Sequence, residues 1–232
     1  MNNMKLDVSE LNTGIKKIKA LFSKEHTFDE GIQVFLEIHS WFYSSKLTGK
    51  KSTSFEDALF DGLTEKAART AVNKKGRTVL YGVWHSTRIE DMTMNLLVAK
   101  KSQVYVRERF NDAIHAGLDH TGNSLSSDEI LIMSAKIDID ALRAYRLRVG
   151  IESRKIIQSL EFRDIKIKVA MKDIERIRTE GGVDDVPAAN WLLDFWSKKT
   201  VEGILMMPAS RHHIVHFNEN FAAKAAGVKN VR

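Results

Sequence analysis

Two histidines four residues apart, His212 and His216 in the run Arg211-His212-His213-Ile214-Val215-His216, stand one above the other on a helical face. From there both can turn ring nitrogens to one metal ion. A third imidazole completes a half-open shell, and His85 in Val83-Trp84-His85-Ser86 is the candidate, since the chain has no cysteine to offer instead. Three neutral imidazoles leave a divalent ion its full charge and an open position, the arrangement of catalytic rather than structural zinc sites. Such a position lowers the pKa of a water towards about 7, for hydrolysis, or takes up a thiol as its thiolate. Nitrogen ligands accept zinc, nickel, copper and iron, with zinc or nickel foremost here.

The spacing leaves alternatives open, because an HxxxH match arises easily by chance in a chain with eight histidines. His213, three residues before His216, can replace His212, but its direction differs by about 100 degrees, so only one of the two serves. The His212/His216 face runs on through Glu219, Asn220 and Ala223, whereas Ile214, Phe217, Phe221 and Ala225 form an apolar stripe nearly opposite. Either the pair faces solvent, or it lines a polar cavity while the phenylalanines pack against further helices. Glu219 is the candidate general base or outer partner of a ligand, and Asn220 a candidate hydrogen-bonding group. A solvated helix face accounts for both equally well.

The elements that must position these residues are helical. Capping boxes are expected at Thr27-Phe28-Asp29-Glu30 and Ser126-Ser127-Asp128-Glu129. Apolar periodicity predicts helices over 8–23, 28–44, 55–71 with a break, 78–100, 127–136, 138–160, 189–199 and 208–225, with 161–180 charged and ambiguous. The fold class is all-α, and the segments 28–44, 78–100, 138–160 and 208–225 are long enough to span a bundle. His85 shares an inward stripe with Tyr81, Ile89, Met92 and Leu96, while Ser86, Glu90 and Thr93 lie on another side. His39 shares one with Ile32, Phe35, Leu36, Phe42 and Tyr43 and reads first as a hydrogen-bonded core histidine. Trp191, Phe195 and Trp196 have the spacing of a shorter helix packed on the bundle, against the Phe217 and Phe221 stripe. Met92, Met94, Met206 and Met207 read as gap-filling core. Gly181-Gly182 fits no phosphate-binding motif, so no nucleotide cofactor is expected, and no serine nucleophile signature is present.

With 232 residues and 43% hydrophobic content the chain is long enough for one large domain or at most two small ones, and a single domain over 1–232 is the expectation. The absence of cysteine fits a reducing compartment, and the segment from Met1 to Glu25 lacks the apolar core of a signal peptide. No run approaches the roughly 20 apolar residues of a membrane span, so a cytoplasmic protein without a membrane partner is expected. The net charge of +6 is spread over Lys16-Lys17, Lys50-Lys51, Lys74-Lys75-Gly76-Arg77, Lys100-Lys101 and Lys198-Lys199. Scattered doublets at helix ends fit a solvated surface better than a nucleic-acid face, so no nucleic-acid partner is expected.

The segment 80–95, with Trp84-His85 followed by Glu90, resembles the second-helix motif of the DinB/YfiT-like superfamily, and Pro208-Ala209-Ser210-Arg211-His212-His213-Ile214-Val215-His216 resembles its C-terminal metal helix. The segments 55–63 and 70–95 are similar to a longer bacterial branch, so the resemblance covers most of the chain. It implies a four-helix bundle with additional short helices, holding a divalent ion through His85, His212 and His216. It further implies a hydrolase, or a transferase using a low-molecular-weight thiol such as bacillithiol, mycothiol or glutathione, acting on a small-molecule substrate. DNA repair is not implied, despite the family's name. The chain departs from the commoner pattern in that His216 is followed by Phe217-Asn218-Glu219 rather than by a small residue and Gln. The competing expectation is a non-catalytic helical interaction module, a homodimer with a structural or degenerate metal site.

Overall fold

Six of the helices begin where the sequence supplies a capping side chain. The structure, a computed structural model, describes residues 8–49 and 52–229; the Lys50-Lys51 doublet lies outside the described residues. Among the described residues the regular elements are all helical, and extended pairing is limited to the isolated bridges Val72–Thr78 and Lys168–Thr200. The order is α1 (Val8–Leu21), α2 (Phe28–Trp41), α3 (Phe55–Phe60), α4 (Glu65–Thr70), α5 (Val79–Met92), α6 (Val104–Arg107) and α7 (Phe110–Ala113). There follow α8 (Ser127–Lys136), α9 (Ile139–Gln158), α10 (Met171–Thr179), α11 (Pro187–Ser197), α12 (Val201–Met206) and α13 (His212–Lys229). No helix of the described residues is long and apolar enough to cross a membrane.

Ser54 and Ser126 close capping boxes with Asp57 and Glu129, and the side chains of Thr64, Thr78, Asp138 and Thr200 accept from backbone amides in the first turns of α4, α5, α9 and α12. The expected box at Thr27 does not form. A 3-10 turn over Glu25–Thr27 gives Thr27 a ψ of 1°, outside the extended region a capping side chain needs, and its hydroxyl donates to the Leu21 carbonyl at 2.7 Å. The helices α6, α7, α10 and α12 were not legible from periodicity. The first two are single turns, too short for a stripe. In α10 only Ile174, Ile177 and Asp173 are buried within a charged segment, and α12 runs straight into Pro208.

The centre of the molecule is α5, whose fourteen residues are all buried. It packs against α13 and α9, with α4 and α8 also in contact, while α2 packs on α9. The amphipathic division expected of α5 therefore does not hold: Ser86, Glu90 and Thr93 are as buried as His85. A helix covered on every side must find partners for its polar groups inside the protein. Beyond Met92 a π-helical stretch, Thr93–Val98, continues α5, and a second, Met207–Arg211, precedes α13. Pro208 has no N–H to give to the turn before it, and the Ser210 hydroxyl donates to the Leu205 carbonyl at 3.0 Å.

Candidate metal centre

The helices α5 and α13 pack tightly at Gly82, where an added Cβ would lie 1.9 Å from Oδ1 and 2.8 Å from Cγ of Asn220. About one turn from this crossing, on their facing sides, are His85 on α5 and His216 on α13, with His212 a turn further along α13. The ring centroids are 4.8 Å apart for His85 and His216, 5.2 Å for His85 and His212, and 4.5 Å for His212 and His216. One nitrogen of each ring lies within 4.8 Å of the others, so the three can hold a metal ion. Nε2 of His212 and Nε2 of His216 are 3.1 Å apart. Two nitrogens bound tetrahedrally to zinc at about 2.0–2.1 Å stand about 3.3 Å apart, close to that spacing.

The outer nitrogens fix how the rings face. Nδ1 of His85 donates to the Thr121 carbonyl at 2.6 Å, and since a carbonyl only accepts, the lone pair of His85 must be on Nε2. The loop carrying that carbonyl is itself held: Thr121 N–H donates to Gly182 O at 3.1 Å, and the Tyr81 hydroxyl donates to Gly122 O at 3.1 Å. Tyr81 also stacks on the His85 ring, with centroids 5.4 Å apart and planes 9° apart. Nδ1 of His216 lies 3.1 Å from Oε2 of Glu219, off the line of a full hydrogen bond, and Nδ1 of His212 is buried without a hydrogen-bond partner.

Burial keeps the rings uncharged. It pushes His85 down to about 3, with the neighbouring His216 adding to the fall and the Thr121 carbonyl opposing it. His212 and His216 are lowered for the same first reason, and Glu219 pulls the other way at His216. Neutral imidazoles are the form that binds metal. Glu219 is largely buried, which taken alone raises a carboxyl pKa, but His216, Lys75 and Arg77 outweigh burial and hold it well below the carboxylate range. Oε1 of Glu219 accepts from Lys75 Nζ at 2.8 Å, and Oε2 accepts from Arg77 at 2.9 Å.

The other sequence candidates are distributed differently. His213 does not join the three rings: with its direction turned from His212, it donates through Nε2 to Oε2 of Glu90. His39 donates to Oε1 of Glu90 at 2.8 Å and the Tyr43 hydroxyl to Oε2 at 2.7 Å, so His39 is a hydrogen-bonded core histidine. Burial raises a carboxyl pKa, yet the two imidazoles lower that of Glu90 overall, and it is an ionised acceptor. Asn220 is buried over Gly82.

The orientation of α13 is also plain. Its histidine side meets α5, while Phe217 packs on Phe42 and Phe55 at 6.3 and 6.1 Å between centroids, so both sides are covered. The aromatic residues of α11 do not cover the phenylalanine stripe as expected. Trp191, Phe195 and Trp196 instead line a cavity beside His85 and His212, because the α2 and α3 aromatics already fill the other side. Of the four methionines read as core, Met92, Met94 and Met206 are buried, whereas Met207 borders this cavity.

No family model matches the chain, and no curated protein matches it.

Proposed function

We propose that the chain is a metal-dependent enzyme, a hydrolase or a transferase using a low-molecular-weight thiol, on a four-helix bundle of the DinB/YfiT-like type. In this reading it acts on a small molecule in the cytoplasm. The observation that carries the proposal is the convergence of three imidazoles, His85, His212 and His216, from two helices far apart in sequence. These residues would hold a divalent ion, zinc or nickel, which when bound supplies Lewis acidity and an acidified water or thiol.

The chain's own groups prepare that site. The Thr121 carbonyl fixes the tautomer of His85, leaving Nε2 as its ligand atom. Glu219 is a positioning residue: its oxygens are turned to the outer nitrogen of His216, to Lys75 and to Arg77, and its depressed pKa makes it a weak base. Burial of the three rings holds protons off them at neutral pH. The test is the metal content and turnover of protein purified without an affinity tag. One divalent ion per chain is expected, with His85→Ala and His216→Ala emptying the site and abolishing turnover on a panel of esters, amides and thiol-plus-electrophile pairs. Full occupancy in both variants would remove the ligand set. Loaded protein inert across the whole panel would remove the enzyme.

A further inference from the structure

Beside the rings of His85 and His212 is a cavity of about 140 Å³. One wall is a single face of α11: Trp191 and Phe195 are four residues apart, as are Leu192 and Trp196, so the two pairs stand side by side. The other wall is Ile89 of α5 with Met207 and Pro208, which the π-helical turn before α13 brings to this side. Exposure falls from 53% at Trp191 to 6% at Leu192 and 1% at Trp196, which makes a mouth and a floor. The polar lining consists of His85, His212 and the half-buried Asn123, and no charged side chain is among the described lining residues. Lys199 places its ammonium 4.0 Å from the Phe195 ring without lining the space.

We propose that this cavity is the recognition chamber for a neutral, ring-sized apolar group of the substrate, held between the α11 aromatics while its polar end reaches the histidine centre. The inference rests on the enzymatic reading of that centre. An apolar cavity of about 150 Å³ in another protein holds benzene, so this volume suits one ring. Flat Trp and Phe faces favour a planar guest through offset or edge contacts. A charged guest would lose its hydration here without a counter-charge to replace it. Asn123 is the side chain placed to hydrogen-bond a polar substituent on the ring.

Isothermal titration of the full chain, metal-free and zinc-loaded, with benzyl alcohol, benzoate and benzyltrimethylammonium tests this without relying on turnover. Benzyl alcohol is expected to bind both forms. In the metal-free form, where no cation can draw a carboxylate, it should bind at least tenfold tighter than either charged probe. Leu192→Phe, which fills the chamber, should weaken benzyl alcohol at least tenfold with metal content and helical circular dichroism unchanged. Trp191→Ala, at the half-exposed mouth where folding is not at stake, should weaken it at least threefold. A charged probe binding as tightly as the alcohol, or both variants binding it as the wild type does, would overturn the proposal. Ring binding without metal uptake would sink the enzymatic reading and leave the chamber, whereas metal uptake without ring binding would sink the chamber alone.

Discussion

Metal binding by this chain should be almost indifferent to pH between 7.5 and 5.5, and that indifference separates a buried, preformed site from three surface histidines. A ring with the ordinary pKa of about 6.5 is protonated roughly ten to one at pH 5.5, so three such rings together lower metal affinity roughly a thousandfold, about 4 kcal/mol. His85, pushed to about 3 by burial, is protonated to only roughly 0.3% at that pH. His212 and His216 are shifted in the same direction. Affinity measured by competition with a fluorescent zinc chelator should therefore fall less than about tenfold over the range. The same shifts act on the metal-free fold with a definite sign. Between the unfolded value of about 6.5 and the folded value near 3 the unfolded chain binds a proton at residue 85 and the folded chain does not, so stability falls as pH falls through that window. The loss from this ring is about 1.4 kcal/mol per pH unit, and urea unfolding of metal-free protein at pH 7 and 5.5 should show it. A hundredfold or greater loss of zinc affinity at pH 5.5, with the helical signal intact, would refute the argument, because it would mean that the rings titrate as exposed imidazoles do.

Four further outcomes follow from particular contacts. Glu219→Gln should weaken zinc binding about 10- to 100-fold by loosening His216, with the ion count restored at saturating zinc. Gly82→Ala places a methyl against Asn220, and thermal or urea unfolding should show about 1–3 kcal/mol of destabilisation together with weaker metal binding as α5 and α13 part. His213→Ala should keep one ion per chain by mass spectrometry while losing stability, since it faces Glu90 rather than the other rings; an empty site in that variant alone would be the contrary result. Glu56→Ala strands Arg146, which otherwise donates to Glu56, Thr87 and the Phe42 carbonyl in the interior. A loss of about 3–5 kcal/mol is expected, largely recovered when Arg146→Met is added.

The legible part of the fold was that governed by local rules. The starts of α5, α8 and α9 follow from the side chains of Thr78, Ser126 and Asp138, and the bounds of α8 fall at 127 and 136, as the periodicity predicts. The direction of the α13 histidines was not legible, because a helix covered on two sides has no single wet face. Its apolar stripe read as covered by α11, whereas Phe217 packs on Phe42 and on Phe55 of α3, and nothing in the period showed that the polar stripe is covered too. The outer partner of His85 is a backbone carbonyl, a group every residue carries, so no residue type could announce it. The role of His213 depended on Glu90, more than a hundred positions away. Pro208 was visible, but its effect, a π-helical turn that places Met207 and Pro208 beside the centre, belongs to the tertiary structure.

What fixes His85 is the set of polar interlocks around α5. Glu90 joins α5 to α2 through His39 and to α13 through His213. Asp91, whose pKa burial raises despite Arg88, accepts from the Val104 and Tyr105 amides at 2.9 Å and from the Tyr145 hydroxyl at 2.8 Å, tying α5 to α6 and α9. Arg88 lies over the Tyr105 ring at 3.9 Å and donates to the Asp119 carbonyl at 2.7 Å, two residues before Thr121. Buried charges are poor sources of net stability but strict about geometry, since any other packing strands them. Because none of these contacts passes through the three rings, the rings are held in place before a cation arrives, and His85→Ala should remove the ligand while leaving the α5 packing intact. Matching helical circular dichroism is expected for metal-free His85→Ala, with a loss of only about 1–3 kcal/mol in urea unfolding from the stranded Thr121 carbonyl and the gap left beside Tyr81. A collapse of that variant would mean that His85 itself organises the interior, and the separation of scaffold from site argued here would fail.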